Sequence, residues 1–375
     1  MDDLEGVLRS DEQAIFRLRK LYQKYGYQQF KMSKFEEYDL YAHNKDFLVS
    51  NHIITFTDTS GKLMALKPDV TLSIIKNSKD QPDCVQKVYY NENVYRISKG
   101  TQTYKEIPQA GLECLGDVDQ FHVGEVVALA AMSLAAISKQ YVLDLSHMGF
   151  VTAMLGNAAV PEEETQNLLK CIGEKNRHGI QEICSRCGVD SENCAQLQKL
   201  VSSYGPLGEM LETLSQFQLN DAMAQALQEL KAVYRFLQNL EIDQQVNLDF
   251  SVVSDSNYYN GIVFRGFVEG LAAGVLTGGQ YDKLMKRMGR ESRGIGFAVY
   301  LDQLERLRRT ERNYDVDCLL LYDDTTNLDS LQQAIRLLTG NGKSVQAQRA
   351  IPEKLKYRQL LQLKDRGLEI LETND

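Results

Sequence analysis

The spacing of apolar positions alternates between helical and strand-like stretches along the chain and predicts a mixed fold. Apolar residues recur at helical spacing over 10–25, where Ser10 and Gln13 have the residue types of a capping box. Alternating apolar residues, separated by turn-forming residues, predict strands at 47–56, 63–66, 85–96 and 111–115. Helical spacing returns over 71–77 and 124–138, and the alanine-rich second segment is expected to be a buried helix.

A segment rich in leucine, glutamine and glutamate interrupts this pattern between about 161 and 245. Its apolar residues, such as Leu207, Leu211 and Leu214, fall at helical spacing, which predicts an all-helical insertion. Strand character returns at 246–253, in an antiparallel hairpin of 261–268 with 274–276, and at 296–306, where a strand passes into a helix. The whole pattern indicates a fold that combines helices with strands, of which at least one pair is antiparallel.

A charged stretch at 308–314 marks a predicted domain boundary. Before it, we assign residues 1–310 to the core that carries the insertion. After it, an apolar strand at 316–322, a helix at 328–338 and a strand at 344–348 predict a small α/β domain over 315–375. A length of about 60 residues is near the lower limit for an independent domain.

The composition is that of an ordinary globular protein and narrows its location. The 375 residues carry 42 basic and 51 acidic side chains, and the resulting net charge of −9 argues against a protein that coats nucleic acid. The chain has no run of about 18 apolar residues and begins without a basic and apolar leader, so we expect no membrane span and a cytoplasmic location. Seven irregularly spaced cysteines predict reduced thiols.

General sequence motifs argue against several kinds of site. Cys184 and Cys187 are spaced like zinc ligands, with Cys171 and Cys194 nearby. No second close pair occurs, so buried thiols are favoured and no metal site is predicted. The chain also lacks a Walker-type loop and a Gly-x-Gly-x-x-Gly motif, which argues against a nucleotide site of the common glycine-rich kinds.

Six short motifs occur in a fixed order and carry the most specific information. They are 66–71 (Leu-Lys-Pro-Asp-Val-Thr), 89–96 (Tyr-Tyr-Asn-Glu-Asn-Val-Tyr-Arg), 105–113, 258–264, 278–282 and 294–298. Together they resemble the catalytic core of the histidyl-tRNA synthetases, and the resemblance covers most of residues 10–306. It implies an α+β fold with a class II aminoacyl-tRNA synthetase-like antiparallel sheet core flanked by helices. The C-terminal domain looks like a truncated anticodon-binding domain.

The residue types in these motifs suit a small zwitterion that carries an imidazole. Asp69 and Thr71 have oxygens that can accept hydrogen bonds from a ligand ammonium group. Gln109 and Glu113 are four residues apart and share one face of a strand, where Glu113 can accept an imidazole N–H. The resemblance implies the same pocket here, because the matching synthetase positions bind histidine. The predicted histidine-binding residues are Asp69, Thr71, Gln109, Glu113, Tyr258, Tyr259 and Tyr281, and Arg96 is a predicted phosphate or anion contact.

The chain departs from the synthetase pattern at residues that handle ATP. Ser254 stands in place of the catalytic arginine, and Gln303 stands in place of the arginine that clamps ATP. Tyr300 replaces a glycine beside the adenine site. Losing one well-placed charge donor typically costs about 3 kcal/mol of transition-state stabilisation. We therefore predict that histidine activation is lost.

The second synthetase motif is also incomplete. Ser98 replaces a glutamate, and the stretch 102–105 lacks the arginines of the family. In the synthetases, the arginine at the position of Ser254 binds the ligand carboxylate, so the resemblance leaves this end of the ligand without a partner here. Lys67 and Lys105 are candidates to replace it.

A synthetase-like core without these arginines resembles the regulatory subunits of ATP phosphoribosyltransferase. The segment 141–150 and the Lys-Pro-Asp-x-Thr variant at 67–71 also look more like that family. The resemblance implies a non-catalytic, allosteric partner of the short-form catalytic subunit in the first step of histidine biosynthesis, with a part in histidine feedback. It further implies that the chain forms a homodimeric core inside a hetero-octamer. No cofactor or metal is expected, and neither a membrane nor tRNA is expected as a partner.

Three other functions stay open on the sequence alone. A divergent histidyl-tRNA synthetase would exchange pyrophosphate with ATP in the presence of histidine. A stand-alone histidine-binding sensor would bind its ligand without affecting a transferase. A ligase that joins an amino acid to a different acceptor would need the same ATP chemistry, so the missing arginines count against it.

Overall fold

A computed structural model describes residues 8–48, 53–80, 83–97, 103–253, 258–304, 314–364 and 367–374. The chain forms two compact units, Met1–Leu307 and Arg308–Asp375. The predicted boundary stretch 308–314 lies outside the described residues, except for Tyr314. The domain limits 1–310 and 315–375 stay predictions.

A nine-stranded sheet forms the centre of the larger unit. The strands of this unit are β1 (Gln28–Gln29), β2 (Phe35–Glu37), β3 (Thr55–Thr57), β4 (Leu63–Leu66), β5 (Val85–Ile97), β6 (Tyr104–Gly116), β7 (Tyr141–His147), β8 (Tyr204–Pro206), β9 (Val246–Asp249), β10 (Ile262–Val268), β11 (Leu276–Gln280) and β12 (Arg293–Tyr300). The main sheet has the order β1-β5-β6-β12-β11-β10-β7-β9-β8, and its strands from β5 to β7 pair antiparallel. The predicted antiparallel core is confirmed, and β2, β4 and β3 form a separate small sheet.

Helices cover the main sheet and build the insertion. They are α1 (Ser10–Lys24), α2 (Tyr38–Ala42), α3 (Thr71–Asn77), α4 (Gln120–Ile137), α5 (Met148–Asn157), α6 (Glu162–Gly173), α7 (Arg177–Cys187), α8 (Ser191–Ser202), α9 (Leu207–Leu214), α10 (Asp221–Asn239), α11 (Asp282–Arg287) and α12 (Leu301–Leu304), with a 3-10 turn at Lys45–Phe47. α4 is long and apolar enough to cross a membrane, but it packs against the sheet, α1 and α10 and is mostly buried inside the protein. The predicted buried helix is confirmed.

The predicted first helix is confirmed, and its capping interaction differs from the predicted one. The helix begins at Ser10, but Ser10 and Gln13 do not form the capping box. The Glu12 carboxylate instead accepts a hydrogen bond from the backbone N–H of Arg9 at 2.8 Å. The capping pair therefore lies one residue earlier, with Arg9 as the residue that precedes the helix.

Two predicted segments are wrong in part. The strand at 47–56 reduces to Thr55–Thr57, because Phe47 lies in the 3-10 turn and residues 49–52 are outside the described part of the chain. The insertion is not all helical, since β8 pairs with β9 and extends the edge of the main sheet. β8 has only three residues and lies between segments whose apolar residues have helical spacing, so the sequence pattern does not predict it.

The smaller unit is a four-stranded sheet with one helix. Its elements are β13 (Val316–Leu321), α13 (Leu328–Gly340), β14 (Val345–Gln348), β15 (Tyr357–Lys364) and β16 (Gly367–Thr373). The sheet order is β14-β13-β15-β16, and all pairs are parallel except β15 with β16. The predicted α/β character is confirmed. β16 is mostly exposed, so its sequence lacks the apolar alternation that predicts a strand.

Candidate ligand-binding site

One face of the main sheet opens into a cavity of about 280 Å³. Residues of β5, β6, β10, β11 and β12 line it, together with the start of α3 and the tyrosine pair that precedes β10. Residues two or four apart on a strand share a face, so Gln109 and Glu113 of β6 both line the cavity, as predicted. All the predicted site residues line this one cavity: Asp69, Thr71, Arg96, Gln109, Glu113, Tyr258, Tyr259 and Tyr281.

Glu113 is held at the base of the cavity, where only 2% of it is exposed. The Thr71 hydroxyl donates to its Oε1 at 2.7 Å, and the Tyr281 hydroxyl donates to its Oε2 at 2.5 Å. Its register neighbour on β12 is Gly296, where a Cβ atom would lie 1.8 Å from Oε2. The carboxylate can occupy this position because that neighbour has no side chain.

Two carboxyl groups face the cavity in an environment that disfavours their charge. Burial raises the pKa of Glu113 from 4.5 to about 8, although the hydroxyls of Tyr281 and Thr71 lower it, and nearby Asp69 raises it. Burial also raises the pKa of Asp69, against the backbone N–H of Leu72 and the charge of Arg96. A ligand that brings N–H donors or a positive charge would stabilise both carboxylates.

Three tyrosines enclose the space beside Glu113. The ring centroids of Tyr258 and Tyr259 are 4.5 Å apart, and those of Tyr258 and Tyr281 are 6.2 Å apart. Burial raises the pKa of each hydroxyl well above its ordinary value, so all three stay protonated and can donate hydrogen bonds. Aromatic walls beside a carboxylate suit a small ring that carries an N–H group.

Two arginines line the cavity at different places. Arg96 lies near Asp69, and its Nε donates to the backbone oxygen of Pro68 at 3.1 Å. Arg265 is exposed and stands opposite Thr277 in the pairing of β10 with β11. Arg265 and Thr277 both line the cavity and were missed by the sequence analysis. The alternation of residues within β10 can predict on which face of the strand Arg265 lies, but it cannot predict which strands are the neighbours of β10.

The two lysines considered for the ligand carboxylate are not among the residues that line the cavity. Lys67 is buried, and its Nζ forms an ion pair with Glu92 at 2.5 Å. Lys105 is exposed on β6, where it pairs in register with Arg96. A buried lysine needs a carboxylate partner, and Glu92 already supplies one to Lys67.

Comparison with known proteins identifies the family. The family model described as Histidyl-tRNA synthetase matches residues 2–304. A relative from Caldanaerobacter subterraneus subsp. tengcongensis, named ATP phosphoribosyltransferase regulatory subunit, is 30% identical over 293 residues, which cover 77% of this chain and 76% of the relative. This chain belongs to the histidyl-tRNA synthetase-like family of ATP phosphoribosyltransferase regulatory subunits.

Two solved structures share the fold of this regulatory-subunit family member. An ATP phosphoribosyltransferase regulatory subunit/histidyl-tRNA synthetase from Bacillus halodurans has a TM-score of 0.76 and 21% identity, covering 94% of this chain and 93% of that one. An ATP phosphoribosyl transferase (HisG:HisZ) complex from Thermotoga maritima has a TM-score of 0.62 and 20% identity, covering 78% of this chain and 97% of that one. These likenesses confirm the predicted synthetase-like fold.

Family membership gives a context for the departures from the synthetase pattern. Ser98, Gln102 and Ser254 lie outside the described residues. Gln303 lies in α12, where its side-chain amide donates to the carboxylate of the adjacent Asp302 at 2.8 Å. A regulatory subunit does not need an ATP clamp at this position, and the neutral amide here is engaged with its own helix.

Proposed function

We propose that this chain is the non-catalytic regulatory subunit of a short-form ATP phosphoribosyltransferase. In this role it is required for the first step of histidine biosynthesis and takes part in histidine feedback. The 30% identity to a named regulatory subunit supports the role, and the fold shared with the transferase complex supports a catalytic subunit as partner. The observation that carries the ligand assignment is a buried Glu113 that faces an aromatic cavity and, among the described residues, has hydroxyl donors but no cation as partners.

Histidine fits this cavity through each of its polar groups. A carboxylate oxygen accepts more than one hydrogen bond, so Glu113 can take an imidazole N–H beside its two hydroxyl donors. The ligand ammonium group belongs next to Asp69, because burial raises the pKa of this carboxyl and a nearby positive charge would stabilise its ionised form. The ligand carboxylate then faces Arg96 or Arg265, which replace the lysines considered from the sequence.

In this role the chain forms a homodimer, which is the core of a hetero-octamer in the cytoplasm. Histidine would regulate the assembly only if it binds two arrangements of the complex with different affinities. No tRNA takes part in this function. Ligand binding at Glu113 would shift the elements that line the cavity, and this shift would change the activity of the catalytic subunit.

The decisive experiment measures phosphoribosyl-ATP formation by a short-form catalytic subunit with and without this chain, and with added histidine. The chain should switch the activity on, and histidine should inhibit the complex. Glu113→Ala should lose the inhibition. Glu106→Ala, which changes an exposed glutamate on the same strand, is the matched control and should keep both effects.

Each failure has a separate meaning. If the chain does not raise the activity of its cognate catalytic subunit, the regulatory function is refuted, and histidine-dependent ATP–pyrophosphate exchange becomes the test of a residual synthetase. If the chain activates but Glu113→Ala remains fully inhibited by histidine, the pocket assignment is wrong. Histidine would then bind the partner or the interface.

A further inference from the structure

A single arginine contacts the ends of two short helices that flank the cavity. Arg290 is half-buried in the loop between α11 and β12. Its guanidinium Nη2 donates to the backbone oxygens of Ser78 at 2.7 Å and Ile75 at 3.2 Å, at the C-terminal end of α3. Its backbone N–H donates to the backbone oxygen of Met285 at 2.9 Å, within the last turn of α11.

The opposite ends of the same two helices carry the hydroxyl donors of Glu113. Thr71 is the first residue of α3, and Tyr281 directly precedes α11. These residues donate to the two carboxylate oxygens of Glu113 at 2.7 and 2.5 Å. Arg290 therefore joins two helices at one end, while their other ends hold the carboxylate.

Neither helix is long enough to fix its own position. α3 has 7 residues and α11 has 6, whereas an isolated helix needs about 12–15 residues to be even marginally stable. Their last carbonyl groups lack partners within the helix and need donors from elsewhere. Ile75 of α3 and Met285 of α11 belong to one apolar cluster, and the hydrogen bonds of Arg290 add a directional contact between the ends of the two helices.

We propose that Arg290 is a positioning residue of the ligand pocket, which sets α3 against α11 so that the Thr71 and Tyr281 hydroxyls both reach Glu113. The proposal rests on the proposed function, in which Glu113 receives the ligand. The loop is fixed at a second point, because the Ser292 hydroxyl and the Glu291 backbone N–H both donate to the Asp80 carboxylate. Without the Arg290 side chain, the two hydroxyls can shift relative to each other.

The test compares Arg290→Gln with Arg287→Gln in the full chain. Arg287 is an exposed arginine in the last turn of α11 and serves as the matched control. The first measurement needs no ligand and follows the ionisation of Glu113 by carbon NMR of labelled glutamate carboxyls, assigned with Glu113→Gln. Because both hydroxyls lower the pKa of Glu113, losing them should raise the titration midpoint by about one pH unit in Arg290→Gln.

The second measurement is histidine affinity by calorimetry, which should fall by about tenfold in Arg290→Gln and stay unchanged in Arg287→Gln. An arginine that only stabilises the end of α3 would lower the melting temperature without moving the Glu113 titration or the affinity, and that result overturns the proposal. Arg290→Lys keeps the positive charge and N–H donors on a different geometry and should give intermediate values, so it decides the question if Arg290→Gln does not fold. If the wild-type chain binds no histidine, the ligand assignment fails, while the Glu113 titration still decides the role of Arg290.

Discussion

Two buried glutamates lie on opposite sides of the main sheet, and they differ in the partners of their carboxylates. Glu113 on β6 lines the cavity and accepts hydrogen bonds from the hydroxyls of Thr71 and Tyr281. Glu125 on α4 packs against the other face, where the Nζ of Lys87 lies 2.6 Å from its Oε1 and the Tyr27 hydroxyl donates to the same oxygen.

The difference distinguishes a glutamate that has a counter-charge from the glutamate that we propose binds the ligand. The Glu125–Lys87 pair is neutral as a unit, and it lies next to the Cys114 side of β6 with Glu125 buried and Lys87 half-buried. Among the described residues, no cation forms an ion pair with Glu113, and burial raises its pKa to about 8. A carboxylate with a counter-charge needs no ligand, whereas one that faces a cavity without a counter-charge gains from binding one.

The largest expected effect comes from breaking the pair on the packed face. Lys87→Met leaves Glu125 buried without its counter-charge and should lower the free energy of unfolding by about 3–5 kcal/mol. Urea unfolding measures this loss. Histidine affinity, measured by calorimetry below the transition, should not change because Lys87 is on the other side of the sheet from the cavity.

A double variant shows whether the loss belongs to the charge. Lys87→Met combined with Glu125→Leu removes both charges and should recover most of the stability lost in Lys87→Met. If Lys87→Met alone unfolds like the wild type, Glu125 does not depend on its pair. The contrast with Glu113 would then break down.

The second effect is the pH dependence that Glu113 imposes. Its pKa rises from 4.5 to about 8 on folding, so the folded chain keeps a proton that the unfolded chain releases as the pH increases. This group should therefore lower the free energy of unfolding by about 2.5 kcal/mol between about pH 5 and pH 7, and Glu113→Gln should remove that loss. Urea unfolding at both pH values measures it, with Glu106→Gln as the exposed control. Parallel curves for wild type and Glu113→Gln would contradict a neutral, buried Glu113.

Much of this site can be predicted from the sequence because its residues lie close together along one strand or within short motifs. Gln109 and Glu113 lie on one face of β6 by strand alternation alone. The synthetase-like motifs add Asp69, Thr71 and the tyrosines, and all of them line the same cavity. Strand alternation and the resemblance to the synthetases therefore predicted these lining residues.

Other parts of the site depend on which strands are neighbours, and a single sequence does not contain that information. Arg265 and Thr277 reach the cavity because β10 and β11 follow β12 in the sheet order. Gly278 and Gly279 lie within β11, although glycines are uncommon in strands and the predicted hairpin ended at 276. A glycine-rich strand is favoured here because neighbouring strands and aromatic rings occupy the space of the missing side chains.

The third effect concerns the arginine next to Asp69. Arg96→Gln removes a positive charge that lowers the pKa of Asp69 and that can receive a ligand carboxylate. A charge-assisted hydrogen bond contributes about 1.5–3 kcal/mol, so histidine should bind about tenfold more weakly or worse. Calorimetry measures the affinity, and the exposed Arg287→Gln is again the control. Unchanged binding would assign the ligand carboxylate elsewhere.

The smallest effect is expected at the exposed rim of the cavity. Arg265 is exposed, and water weakens an ion pair at such a position, so Arg265→Gln should reduce histidine affinity by about two- to fivefold. Histidinol lacks the carboxylate and sharpens the test, because a variant that has lost a carboxylate contact should bind histidinol as the wild type does. If Arg265→Gln weakens histidine binding more than Arg96→Gln does, and if histidinol abolishes that difference, the carboxylate points to the rim. The ligand would then lie across β12 and β11, with Glu113 holding its ring at one end and Arg265 its carboxylate at the other.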